Sequence, residues 1–83
     1  MKTIESQVAE IIARAVMIPV GEVKPESKLS ALGVTSLDQV ECVLAVEETF
    51  RIEIDTTTLG QMRTVQDVIN VVKAHESLAR AEL

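Results

Sequence analysis

The side chains in this sequence that could do chemistry are few, and most fall within a short stretch. Ser36 lies in Thr35-Ser36-Leu37-Asp38, and Glu41, Cys42, Glu47 and Glu48 follow within the next twelve positions. His75, the single histidine, lies far along the chain. A thiol, an imidazole and neighbouring carboxylates each suggest a reaction, and the spacing tests each one. Cys42 falls in an apolar run, and the imidazole that could serve as its base belongs to another predicted helix. Such a thiol reads as buried and structural. One histidine without a Cys/His cluster makes no metal site. The carboxylates could be paired catalytic acids, but no concave apolar site is evident around them, so a solvated recognition face is the better reading. Phosphate-cradling glycine motifs are absent. The sequence assigns no catalytic residue and no metal ligand, and it reads as a non-enzyme.

Ser36 is a different case. Thr35-x-x-Asp38 reads as a capping box, with Thr35 as N-cap. Ser36 is then the first helical residue, and its side chain is not needed for the cap. It stands at the positive end of the helix dipole, where free backbone N–H groups favour a phosphate. Its hydroxyl could therefore carry a phosphodiester. Ser/Thr-rich helix starts are common, however, and on these residues alone an ordinary cap is the simpler reading.

The elements that must position Ser36 are mostly helical. From Thr3 to about Ile18, Ile4, Val8, Ile11, Ile12, Ala15 and Ile18 recur at helical spacing, with Gln7, Glu10 and Arg14 on the far side. Thr3 is the expected N-cap, and Pro19 ends the helix. Residues 19–35 hold both prolines and two of the three glycines and show no sustained period. That is a long loop for so small a domain, and such loops are often functional. Val23, Leu29 and Leu32 are placed to pin it to a core.

A second helix spans Ser36 to about Arg51, followed by an extended exit at 52–54. Residues 55–63 can manage only a turn or a short helix, because Gly60 and three threonines discourage more. Thr64-Val65-Gln66-Asp67 resembles a capping box and opens a last helix, with Val65, Val68, Ile69 and Val72 as its stripe to about His75. The tail 76–83 extends that helix or frays. No repeat, low-complexity segment or linker divides the chain, so residues 1–83 are expected to form a single domain.

Composition sets further bounds. The chain has 83 residues, 47% of them hydrophobic, and Phe50 is its single aromatic. A core of Val, Ile, Leu, Ala and Met suits packed helices and leaves no large aromatic-lined cavity. Thirteen acids against eight Lys and Arg give a net charge of −5, with a pI near 4.7. Nucleic-acid backbones repel such a chain, and a basic protein surface is its natural complement. One cysteine excludes an internal disulfide framework and fits a reducing compartment. The polar opening residues do not read as a signal peptide, and no apolar run is long enough to span a membrane. A cytoplasmic location is expected.

On a wheel at about 100° per residue, Val43, Val46 and Phe50 form the core arc of the second helix, flanked by Val40 and Cys42. Leu37 and Leu44 fall in the opposite sector, beside Glu41 and Glu48. Leucines interleaved with carboxylates look like a docking strip. The simpler alternative is a central helix buried on most sides, but Asp38, Glu41, Glu47 and Glu48 against the lone Arg51 resist burial.

Gly33-x-x-Ser36-Leu37-Asp38, followed by the acidic helix "QVECVLAVEETF", resembles the carrier-site region of acyl carrier proteins. "TIESQVAEIIARAV" resembles that family's first helix, "FRIEI" the exit from its second, and "TVQDVINVV" its last. The resemblance implies an all-α four-helix bundle of three main helices and one short one, with a long loop between helices 1 and 2. It implies 4′-phosphopantetheine on Ser36, attached by a phosphopantetheinyl transferase from coenzyme A with Mg²⁺, and acyl groups held as thioesters for fatty-acid or specialised lipid synthesis. It also implies a freestanding monomer. Acyl-transferring and acyl-modifying enzymes with basic patches would read the second helix through Leu37, Asp38, Glu41, Leu44, Glu47 and Glu48. Two departures stand out. Thr35 replaces the family's usual Asp before the serine, and "TTTLGQM" is uncharged where the family is usually acidic. A carrier of aminoacyl, peptidyl or polyketide chains stays open as an alternative, as does a helical interaction module that is never modified.

Overall fold

Thr3 starts the first helix. Its hydroxyl accepts the Ser6 N–H at 3.1 Å, and the Ser6 oxygen accepts the Thr3 N–H at 3.0 Å, so two end donors are satisfied reciprocally. The helix α1 runs Ile4–Val16, two residues short of the expected Ile18. Ile18 precedes Pro19, which disfavours the helical region for it. Met17 instead turns left-handed at φ 58°, and the Ile18 N–H returns to the Ala13 carbonyl at 3.0 Å. The computed structural model describes residues 3–81, with side chains up to residue 76.

The second helix, α2 (Ser36–Phe50), uses the same devices at both ends: a capping box at Thr35 and a left-handed Arg51 at φ 57°. A short α3 (Thr56–Gln61) is capped by Asp55, whose carboxylate accepts the Thr58 N–H at 2.6 Å. The last helix, α4 (Val65–Ala81), opens on the expected box, with Thr64 and Asp67 exchanging bonds of 3.0 and 3.2 Å. It continues past His75 to Ala81, so most of the tail extends the helix. Residues 82 and 83 lie outside the described residues.

The loop between α1 and α2 is more ordered than its sequence suggests. It contains two 3-10 turns, Val20–Glu22 and Ser30–Leu32. Val23 and Leu29 are buried beneath it and Leu32 is half-buried, as their spacing predicts. Its backbone also pairs with the entrance to α4. The Leu29 N–H donates to the Arg63 carbonyl at 2.9 Å, and the Val65 N–H donates to that of Ser27 at 3.0 Å, forming an antiparallel bridge at Lys28 and Thr64. Gly33, at φ 90°, then redirects the chain into α2, a turn that glycine makes without strain.

The core forms where α1 packs against α2 and α4. Val8 and Ile12 belong to one buried cluster with Val43 and Val46 of α2, and the predicted stripe of α4 (Val65, Val68, Ile69 and Val72) is buried with them. Among the described residues no polar or charged side chain is buried, and there is no strand. The fold is an all-α bundle of three main helices and one short one.

Two helix caps make the bundle sensitive to acid. The Asp67 carboxylate accepts the Arg63 N–H at 2.9 Å and the Thr64 N–H at 3.0 Å, and these bonds hold it below its ordinary value of 3.8. The Thr58 N–H lowers Asp55 in the same way. Both carboxyls are lowered by folding. Their stabilisation is therefore fully present above about pH 4 and is lost as pH falls through the lowered folded values. Thermal melts between about pH 6 and pH 2 should show Asp67→Asn starting below wild type and losing less than it does across the acid limb. Parallel curves would remove Asp67 from the acid response.

Candidate functional site

The head of α2 sets the geometry around Ser36. The Thr35 hydroxyl accepts the Asp38 N–H at 3.2 Å, and an Asp38 carboxylate oxygen accepts the Thr35 N–H at 3.1 Å. The Gln39 N–H goes to the Thr35 carbonyl at 2.9 Å. The N–H groups of Ser36 and Leu37 are left at the positive end of the helix. Ser36 is exposed, and its hydroxyl makes no hydrogen bond among the described residues. This hydroxyl is free to be modified, and two donors beside it suit a phosphate.

Ser36 opens onto a cleft of about 800 Å³ between α2, α3 and the loop before α2. Leu29, Val34, Val40, Leu59 and Met62 give it an apolar lining, to which Lys28 and Arg63 add cations. The sequence does not anticipate this cleft, which none of Asp38, Glu41, Glu47 and Glu48 lines. The cleft is assembled from three separate segments, which a helical wheel of one element does not register. Val40 is corrected: expected beside the core, it is 44% exposed and lines the cleft. Gln39, unremarked in the sequence, spans from α2 to α3. Its amide donates to the Leu59 carbonyl at 3.1 Å and to the Met62 carbonyl at 3.3 Å.

The other side of α2 carries the acids and leucines. Leu37 is 68% and Leu44 58% exposed, and Glu41 and Glu48 are exposed beside them. Asp38 and Glu47 are half-buried and have work within the fold. Asp38 closes the cap, and Glu47 accepts the Ile54 N–H at 2.8 Å, tying the end of α2 to the extended exit. Cys42 is buried as expected. Burial, with help from the charges of Asp38 and Glu41, pushes its thiol up to about 11, so it stays protonated and unreactive near neutrality. The His75 ring, on α4, meets the Val71 carbonyl of its own helix at 2.9 Å. Among the described residues no cluster of His, Cys, Asp or Glu could hold a metal.

A family model described as "phosphopantetheine attachment site" matches residues 6–72. The chain belongs to this family. The family's prosthetic group is a covalent 4′-phosphopantetheine, and the matches point to a carrier domain. A curated relative, "acyl carrier protein 1, chloroplastic" of Hordeum vulgare, is 41% identical over 68 residues, covering 81% of this chain. The chain spans 46% of that relative's length. The solved acyl carrier protein of Thermotoga maritima shares the fold with a TM-score of 0.74 and 26% identity, over 87% of this chain and 86% of that one. The free hydroxyl, the two end donors and the adjoining cleft fit the prosthetic group of a phosphopantetheine-attachment domain.

Leu44 and Glu47, neighbours on α2, should respond oppositely to truncation. Glu47→Ala should cost about 1 kcal/mol by leaving the Ile54 N–H unpaired. Leu44→Ala should stay within about 0.5 kcal/mol of wild type. Denaturant unfolding of both variants checks this, and a loss of several kcal/mol at Leu44 would place that side chain in the core instead.

Proposed function

We propose that this chain is an acyl carrier whose 4′-phosphopantetheine arm is attached at Ser36. The observation that carries this reading is the exposed, unbonded Ser36 hydroxyl at the head of α2, opening onto an apolar cleft. The arm supplies a terminal thiol on which acyl groups are held as thioesters. Thr35 and Asp38 complete the cap between themselves, so Ser36 can be modified without unravelling the helix. The N–H groups of Ser36 and Leu37 and the helix dipole favour the phosphate. Leu29, Val34, Val40, Leu59 and Met62 offer shelter to an apolar chain, which supports an acyl cargo over an aminoacyl one.

Residues 1–83 act in this reading as one carrier domain serving fatty-acid or specialised lipid synthesis. The partners are a phosphopantetheinyl transferase and acyl-handling enzymes with basic patches. They engage Leu37, Glu41, Leu44 and Glu48 directly, with Asp38 and Glu47 adding to the negative field. No helix of the described residues is long and apolar enough to cross a membrane. The single buried Cys42 supports a reducing compartment such as the cytoplasm.

Incubation of the unmodified protein with coenzyme A, Mg²⁺ and a broad-range transferase should add one phosphopantetheinyl mass to wild type and none to Ser36→Ala. Equal labelling of both would move the site elsewhere. Thr35→Asp should restore the charge before the serine and speed labelling by a transferase adapted to Asp. Both residues are good N-caps, so its stability should change by less than about 1 kcal/mol. Equal labelling rates would make Thr35 functionally silent.

Partner binding should separate charge from apolar contact. Glu41→Lys or Glu48→Lys should slow association and flatten its dependence on salt. Leu44→Ala should speed dissociation and leave the salt response nearly intact. Stopped-flow kinetics with an acyl-handling enzyme across a salt series would show the split. Identical effects from both kinds of substitution would dismiss the docking strip.

A further inference from the structure

The third helix is poorly equipped to hold itself in place. It has six residues, including Gly60 and three threonines, all weak helix formers. A helix so short is marginal without outside contacts. Its N-terminus is capped by Asp55, but at its C-terminal end the Leu59 carbonyl takes a long backbone bond of 3.3 Å from the Met62 N–H. Leu59 is half-buried and Met62 buried, and these two supply its apolar anchorage.

Gln39 meets this deficit directly. Its amide carries two N–H donors, and the two carbonyls they reach, those of Leu59 and Met62, lie at the C-terminal end of α3. Among the described residues no other side-chain hydrogen bond joins α2 to α3. Gln39 sits one turn from Ser36 and, like Val40, Leu59 and Met62, lines the cleft. The same bonds that hold α3 therefore span the wall through which the cleft would widen.

We propose that Gln39 is a latch that holds α3 against α2 and sets the rate at which an apolar chain carried on Ser36 enters and leaves the cleft. The cargo half of this inference rests on the attachment at Ser36 proposed above. The latch itself does not. Opening requires both hydrogen bonds to break, and it precedes entry and exit alike. Losing the latch accelerates both directions, and cargo is surrendered sooner. Gln39 touches the carbonyls of Leu59 and Met62 rather than the thioester, so it is a positioning residue.

The test uses Gln39→Met, which keeps length and volume but has no donor, and Gln39→Glu, which sets a carboxylate against two carbonyls. In unmodified protein, amide hydrogen exchange across residues 59–62 should rise about tenfold in Gln39→Met. It should rise at least as much in Gln39→Glu near neutral pH. Exchange at Val8, Ile12, Ile69 and Val72 should stay as in wild type. In protein loaded with a medium-length acyl chain, relaxation dispersion at Val40 and Leu59 should report chain movement about tenfold faster in Gln39→Met. Unchanged exchange at 59–62 would overturn the proposal, and so would an equal rise throughout the bundle, which marks a general stability residue. Faster local exchange with unchanged chain movement would also overturn it. A protein that takes up no arm shows no mass gain, which bears on the attachment at Ser36 alone. The exchange of unmodified protein decides the latch in either case.

Discussion

The reciprocal pair of hydrogen bonds between Thr35 and Asp38 is the constraint on which the site depends. It fixes where α2 begins, and with it which residue stands first in the helix. A start displaced by one residue would put Ser36 in the cap, with its oxygen engaged. The same register sends Val43 and Val46 into the core, turns Leu44 and Glu48 outward, and aims Gln39 at the far end of α3. A local pair of bonds between residues three apart thus sets the place of Ser36, the packing and the exposed acidic face together.

The sequence was most informative where local rules suffice. Capping residues at Thr3, Thr35 and Thr64 and the aliphatic stripes of α1 and α4 mark those helices, because the bonds and the period lie within a few residues of each other. Ser36 is legible as a candidate for the same reason, although its residues alone favour an ordinary cap and it is the family resemblance that singles it out. Legibility ended where distant segments meet. The cleft draws on Leu29, Val40 and Leu59, which no single periodicity relates. Gln39 reads as a polar position on an acidic helix, since side-chain bonds to backbone carbonyls leave no trace in residue type at the acceptor. Ile18 was misplaced because its helical spacing is overridden by Pro19 beside it. Glu47 shows a subtler limit: expected among the partner-binding acids, it gives one of its oxygens to the fold.

An aliphatic core and an acidic surface divide the labour cleanly. Every buried side chain among the described residues is apolar, so packing proceeds without buried charge. The ion pair between Lys73 and Glu5, at 3.0 Å, is half exposed and adds little. Glu41 and Glu48 have no partner within the described residues, which leaves their charge directed outward. A negative field that is not neutralised at home hastens encounters with any basic surface, because the attraction is long-range.

The backbone bridge between Lys28 and Thr64 governs the order in which the molecule can assemble. The helices α1, α2 and α4 are local structures, able to form by fast, short-range closure. The loop ahead of α2 is different: it is anchored by the carbonyl of Arg63 and the N–H groups of Val65 and Gln66, on the far side of α2 and α3. It can settle only after the intervening chain has folded back, and the entropy of that closure must be met first. One wall of the cleft, the loop, thus depends on a closure that the local helices do not need, and so does the part of the core that Val23 and Leu29 supply. The head of α2 is thus defined by bonds three residues apart, whereas the cleft beside Ser36 waits on bonds that join segments more than thirty residues apart.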